Sequence, residues 1–378
     1  MSSDFLIKSI NTDDYEKELE LIGFDSSYKH KAVEKLIFKN LKIYSLTVPQ
    51  ANILKQVALS VGADCATHKE VITGKQEISD AILSGSFSQL RKIAQKLRFQ
   101  PFGLKILADK IEEQLNRKQI QTKIVGILNI TDNSFSDGGE FNSFEKAVKH
   151  FDELVQDGAD IIDIGAESTK PNTKGVSSEE QIKKIVPVLE YVKDKYNIPI
   201  SIDTRSSLVA QECLRKGASI INDVSGLKYD PRIAKVVAEH NATLVIQHSL
   251  GNEVNMVENV EYENIMDDVF YDINRQITLA KHYGVESIII DPGIGFDKNL
   301  EENFVIINRI EEFFSLGYPV MTGISRKSLL NLKDSSNEEK DIYTLALNTL
   351  AIEHNVDYIR VHNVKMHKKL FETYKKLF

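Results

Sequence analysis

The chain has 378 residues, 42% of them hydrophobic and 27% charged, which is enough apolar material for a packed core and for more than one domain. Its formal net charge of −8 argues against a protein whose main task is coating nucleic acid or an anionic membrane surface. The chain does not open on a basic stretch with an apolar signal core, and no run is long enough to cross a bilayer. A cytoplasmic protein with neither nucleic acid nor membrane as partner is therefore expected. Cys65 and Cys213 lack metal-ligand spacing, are too few for a disulfide framework, and read as small buried thiols.

In chain order, residues 1–118 carry charged amphipathic segments (YEKELELIGF, FSQLRKIAQKL, FGLKILADKIEEQLNRK), a short run LKIYSLT and a helix start at Pro49. This is the pattern of a small mixed α/β domain. It contains no visible catalytic motif, and the polar stretch EEQLNRKQIQTK is the natural junction after it. From residue 122 to 378 short β-branched runs alternate with longer amphipathic segments. The runs lie at 124–130, 161–165, 198–203, 220–224, 243–248, 288–292, 319–325 and 358–362. Each is nearly all apolar, as in a parallel sheet buried on both faces. These units, closed by a last helix, fit a TIM (β/α)8 barrel of about 250 residues better than the alternative, a doubly wound open sheet. GVSSEEQIKK reads as a capped helix start, DPGIGFDK lacks the glycines and context of a dinucleotide fingerprint, and His367 among lysines reads as a surface residue.

Barrel active sites collect at the C-terminal ends of the strands, so the polar residue that ends each run is informative. These residues are Asn129, Asp163 with Glu167 beyond it, Asp203, Asn222 with Asp223, His248, Asp291, Ser325 with Arg326 and Lys327, and Arg360 with His362. Any one of them could simply cap a strand or helix. A whole set converging on one mouth would be costly to desolvate without a ligand. Asp203, Asn222 and Asp291 complement a planar heterocycle with an amino-pyrimidinone edge, and a lysine would serve its acceptor side. Arg360 and His362 alternate on one strand, point the same way, and suit an anion such as phosphate.

The segments NITDNSFSDGG, GADIIDIGAESTKP, SIDTRSSLVAQECLRKGASIINDVSGL, DPGIGF, GISRKS and RVHNV together resemble the dihydropteroate synthase family over residues 122–378. The resemblance implies condensation of 6-hydroxymethyl-7,8-dihydropterin diphosphate with p-aminobenzoate in folate synthesis, with sulfonamides as inhibitors. It implies a pterin pocket of Asp203, Asn222, Asp291 and Lys327, and a diphosphate site of Asn129, Arg360 and His362. Asn129 would also be a ligand of Mg²⁺, the implied cofactor. A mobile first loop would carry Phe135 to the p-aminobenzoate pocket and Asp137 to the developing cation. Thr169, Lys170, Pro171, Phe296 and Ser328 would complete the p-aminobenzoate site, and a homodimer is the expected assembly. The catalytic set would be Asp137, Lys327, Arg360 and Asn129.

The chain departs from the family pattern at Asp132 and Asn133, at Lys170 and Asn172, at Asn363, and at Gln247-His248, where a Met-His pair is usual. Two other readings share features with this one. A methyltetrahydrofolate:corrinoid methyltransferase-like enzyme has the barrel and the ring-binding acids but no use for Arg360, His362 or the SRK segment. A non-catalytic pterin-binding paralogue would fit the altered loops.

Overall fold

The computed structural model describes residues 6–10, 12, 14–117, 120–130, 139–167, 176–250, 261–327 and 335–376, residues 139–143 by their backbone alone. Its contacts divide the chain into two compact units, Met1–Lys118 and Gln119–Phe378. No helix among the described residues is long and apolar enough to cross a membrane.

The first unit runs α1 (Tyr15–Leu21), α2 (Lys29–Leu36), β1 (Phe38–Thr47), α3 (Val48–Leu59), β2 (Asp64–Thr67), β3 (Ile78–Ser86), α4 (Phe87–Leu97) and α5 (Leu104–Leu115). Its three-stranded sheet has the order β1-β3-β2, with β3 antiparallel to both neighbours. Helix α4 starts on a capping box: Gln89 N donates to Ser86 Oγ at 3.3 Å and Ser86 N to Gln89 Oε1 at 2.8 Å. Leu54, Leu83, Leu90, Ile93, Leu97 and Leu104 form the centre of a core belonging to this unit alone. LKIYSLT lies within β1, and the helix expected at Pro49 is α3.

The second unit alternates strand and helix: β4 (Lys123–Asn129), α6 (Gly139–Gln156), β5 (Ile161–Gly165), α7 (Ser178–Val192), β6 (Ile200–Asp203), α8 (Ser207–Arg215), β7 (Ile220–Asp223) and α9 (Arg232–Glu239). It continues with β8 (Thr243–Gln247), α10 (Ile265–His282), β9 (Ser287–Asp291), α11 (Leu300–Asn308), β10 (Met321–Thr322), α12 (Asn337–Glu353), β11 (Tyr358–Val361) and α13 (Val364–Tyr374). The eight-stranded sheet has the order β10-β11-β4-β5-β6-β7-β8-β9, so the last strand in sequence pairs with the first. A parallel bridge between Ile290 and Val320, with Ile290 N donating to Pro319 O at 2.9 Å, joins the two ends. The sheet is therefore a closed barrel, and the open doubly wound alternative does not hold.

Strand alternation sorts the barrel residues into two sets. Ile124, Ile162, Ile202, Ile221, Leu244, Ile288 and Ile359 pack outward with helix residues such as Phe151 and Val188. Val125, Ile161, Ile220, Val245, Ile289 and Met321 form a separate inner cluster, joined by Tyr358. Two residues further along several of these strands, the inner face turns polar.

Candidate active site

By the same alternation, the next inner layer towards the strand C-termini holds Asp163, Asp203, Asn222, Gln247, Asp291 and Arg360. Register pairs Asp203 with Asn222 and Gln247 with Asp291 across neighbouring strands. Asp163, Asn222, Gln247 and Asp291 are buried, between 1% and 5% exposed, so each must find a partner in the protein or in a ligand.

The partners inside the protein are incomplete. Arg360 divides its guanidinium between two carboxylates, Nε donating to Asp163 Oδ2 and Nη2 to Asp203 Oδ2, both at 2.6 Å. Asn222 Nδ2 donates to Asp163 Oδ2 at 3.0 Å. The buried oxygens Asp163 Oδ1 and Asn222 Oδ1 have no hydrogen-bond partner among the described residues. Asp291 Oδ1 accepts from Gly293 N at 2.8 Å. A Cβ on Gly323 would stand 3.7 Å from Asp291 Oδ2 and 3.8 Å from Lys327 Nζ, so the missing side chain leaves room where a carboxylate and an ammonium face one another. Lys327 lies over the Phe296 ring, 4.1 Å from its centroid, and donates to Ile294 O.

Burial sets the protonation of these groups. It pushes the Asp203 carboxyl up to about 7, where Arg360 pulls it down and the charge of Asp163 pushes it back. Asp291 is raised, again by burial, against the pull of Lys327. Lys327 is lowered to about 7 by burial. Burial opposes the charge on Arg360, but Asp163 and Asp203 outweigh it and the group is raised. His362 Nδ1 lies 2.9 Å from Ser325 Oγ, and burial followed by Arg326 and Arg360 lowers the imidazole to about 3. His362 is thus a neutral hydrogen-bonding group at pH 7 and not a cation.

The structure brings together Asp203, Asn222, Asp291, Lys327, Arg360 and Phe296, with Asn129 at the exposed C-terminal end of β4. Arg360 lies among the acids of this layer and not on a separate anion-facing surface. Phe135, Asp137, Thr169, Lys170, Pro171 and Ser328 lie outside the described residues. Several strand-end residues do not face the mouth. Asp223 accepts from Ser225 N, Ser225 Oγ and Leu227 N and closes its own loop. Glu167 is paired with Arg205 at 2.9 Å. Arg326 adopts φ 57°, which turns it to a bidentate pair with Asp341 at 2.7 and 2.8 Å. His248 accepts from Lys298 Nζ at 2.9 Å through Nδ1. His367 is not on the surface as expected. It is fully buried between Asn348 Nδ2 at 2.9 Å and Asn363 O at 2.8 Å, because it lies on the inward face of α13 with Val364 and Phe371 while Lys365 and Lys369 are exposed.

The sequence names Asp163 as a strand-end residue without giving it a role, and Gln247 only as a departure from the expected methionine; in the structure Asp163 anchors both Arg360 and Asn222. Their signal was position two residues beyond an inner apolar residue on β5 and β8. For Mg²⁺, no group of three or more His, Cys, Asp or Glu side chains among the described residues could hold a metal ion. The Asn129 amide oxygen fits an ion that arrives with a diphosphate and keeps mainly phosphate and water ligands.

Residues 125–362 match the family described as pterin binding enzyme. The chain is 43% identical over 248 residues to a dihydropteroate synthase of Clostridium beijerinckii, covering 65% of this chain and 90% of that one. It is 30% identical over 377 residues to a bifunctional dihydropteroate synthase/dihydropteroate reductase of Helicobacter pylori, covering 98% of this chain and 99% of that one. A Clostridium difficile dihydropteroate synthase solved in the presence of pteroic acid superposes with a TM-score of 0.64 at 36% identity, over 68% of this chain and 97% of that one.

Proposed function

Because the chain belongs to the dihydropteroate synthase family of pterin-binding enzymes, we infer that it condenses 6-hydroxymethyl-7,8-dihydropterin diphosphate with p-aminobenzoate. The products are 7,8-dihydropteroate and pyrophosphate, in a step of folate synthesis that sulfonamides inhibit. The observation that carries this reading is the inner polar layer at the C-terminal end of the barrel, whose acceptors Asp163 Oδ1 and Asn222 Oδ1 find no partner among the described residues. A ligand edge rich in N–H donors satisfies them.

In this proposal Asp291 pairs with the 2-amino and N3 edge of the ring, and Asn222 and Asp203 with the remaining ring nitrogens. Lys327 donates to the carbonyl oxygen and the N5 side. The C–O bond to the diphosphate breaks with its electron pair leaving on pyrophosphate, and the methylene cation is delocalised into the ring. The p-aminobenzoate amine then attacks the methylene and loses a proton. Asp137 faces the developing cation, and Phe135, Thr169, Lys170, Pro171, Phe296 and Ser328 hold the aminobenzoate. Asn129, Arg360 and His362 receive the diphosphate, with His362 donating as a neutral imidazole. Asn129 would hold Mg²⁺, which when bound offsets the charge of the departing pyrophosphate. A cytoplasmic location and a homodimer belong to the same proposal, and light scattering at twice the chain mass is the check on the second.

Mixing the purified chain with both substrates and Mg²⁺ and assaying pyrophosphate tests the reading. Release that depends on p-aminobenzoate and is blocked by a sulfonamide is the expected result. Binding of dihydropterin without any turnover would favour the non-catalytic paralogue.

A second reading concerns the unit Met1–Lys118. The match to the bifunctional Helicobacter pylori protein spans almost the whole chain and so includes this unit. We propose that the chain also reduces its product, taking a hydride, that is two electrons and one proton, from a reduced nicotinamide, directly or through a flavin, and the second proton from solvent. Oxidation of the nicotinamide on adding dihydropteroate is the test, and no oxidation with either donor system would reject it.

A further inference from the structure

Gln247 ends β8 on the inner face, because Leu244 and Ile246 pack outward while Val245 belongs to the inner cluster. Register places it opposite Asp291 on β9, and on the other side β7 brings Asn222 opposite Val245. Gln247 therefore stands between the two groups assigned to the ring edge. Its side chain is 5% exposed. Its only hydrogen bond among the described residues is a long one, Nε2 donating to Val224 O at 3.4 Å. That carbonyl can only accept, so it fixes which way the amide points and leaves Oε1 as an acceptor without a donor among the described residues.

The backbone beneath this side chain is clamped. Gly226 approaches so closely that a Cβ there would lie 2.5 Å from Gln247 O, and a Cβ on Gly293 would collide with His248 O. His248 N donates to Asp291 O at 2.8 Å. The β8 terminus is thus held against β9, and the side chain of Gln247 is offered to the mouth from a fixed base.

Asp291 has spent Oδ1 on Gly293 N–H, which leaves Oδ2 as its freer acceptor. An amino-pyrimidinone edge presents N3–H and two amino N–H groups, and a carboxylate paired with N3–H and one amino N–H leaves the second amino N–H to another acceptor. We propose that Gln247 Oε1 accepts a hydrogen bond from the exocyclic 2-amino group of the pterin beside Asp291, and so determines selectivity for that group. The inference rests on the pterin reading above.

The test is a two-by-two comparison by calorimetry. Wild-type protein and Gln247→Met, which is unbranched and of similar volume, are titrated with 6-hydroxymethyl-7,8-dihydropterin and with its analogue lacking the 2-amino group. Gln247→Met weakens the dihydropterin about tenfold, the size expected of one hydrogen bond, and changes the analogue less than about twofold. The KM for p-aminobenzoate stays at the wild-type value. Gln247→Asn keeps the amide but shortens its reach by a methylene, and it follows Gln247→Met. Thermal midpoints confirm that each variant is folded. Equal losses for both ligands, or wild-type affinity in Gln247→Met, would overturn the proposal. Wild-type turnover is recorded first. A wild-type protein that binds no pterin would sink the functional reading and this inference together, whereas turnover with no effect at Gln247 would sink this inference alone.

Discussion

Arg360 reaches across the mouth to Asp163 and Asp203 at 2.6 Å each, and a half-buried guanidinium shared in this way cannot turn to an anion without releasing a carboxylate. In the proposed reaction the ring donors occupy Asp203, which frees Nη2 for the diphosphate, so ring binding prepares the anion site. Asp163→Asn removes one anchor and leaves Arg360 to compete with the ring for Asp203. The expected result is a rise of about five- to tenfold in KM for the pterin diphosphate with the p-aminobenzoate KM unchanged, read from initial rates. Equal rises in both would contradict this role. His362 and His248 predict a pH dependence of stability. The His362 imidazole is held down at about 3 and His248 is also lowered, both chiefly by burial, while an unfolded imidazole titrates near ~6.5. For His362, between that value and 3 the unfolded chain binds more protons than the folded one, so stability falls as the pH drops through this window. Urea titrations at pH 7 and 5 are expected to differ by on the order of 1–2 kcal/mol from His362, with His248 adding in the same direction, and the difference is smaller in His362→Asn.

At the scale of elements, the loop that follows β9 is held by one lysine. Lys298 Nζ donates to His248 Nδ1 at 2.9 Å and to Gly293 O and Phe296 O at 3.0 Å, tying the chain between Asp291 and Phe296 to the end of β8. Gly293 sits at φ 70° with no room for a Cβ. Gly293→Ala is therefore expected to cost about 2 kcal/mol or more in denaturant unfolding and to weaken pterin binding, since the loop must leave β8 to admit the methyl group. An unchanged midpoint would mean the approach is looser than described. The barrel strands were legible in the sequence because burial on both faces writes β-branched runs, and the mouth was legible because acids and amides ended them. The run at 319–325 nevertheless forms only the short β10, since the chain must turn after Thr322 to send Lys327 inward and Arg326 outward. In the first unit β2 and β3 were not legible: β3 buries Ser79 and Ala81 and exposes Ile78 and Ile82, so hydrophobicity there does not report the buried face. Which of two adjacent strand-end residues faces the mouth, as with Asn222 and Asp223, depended on the frame of alternation, which only the inner cluster fixes.

On the scale of the whole molecule, every residue assigned to the synthase reaction lies in Gln119–Phe378, and each unit has its own core. A chain beginning at Gln119 is expected to keep measurable pyrophosphate release while losing any reduction of dihydropteroate. A folded but inactive fragment would show that Met1–Lys118 contributes to the synthase site. The mouth also has a consequence visible in bulk solution. Asp203 and Lys327 are both held at about 7, so near neutral pH each is partly protonated. A ring that donates to Asp203 favours its carboxylate and expels a proton, while a ring carbonyl that accepts from Lys327 favours the ammonium and draws a proton in. The two exchanges offset each other in the intact protein, and the heat of dihydropterin binding should then vary little with the ionisation enthalpy of the buffer. Lys327→Met would leave the expulsion uncompensated and Asp203→Asn the uptake, giving buffer dependences of opposite slope: one substitution turns the binding site into an acid, the other into a base.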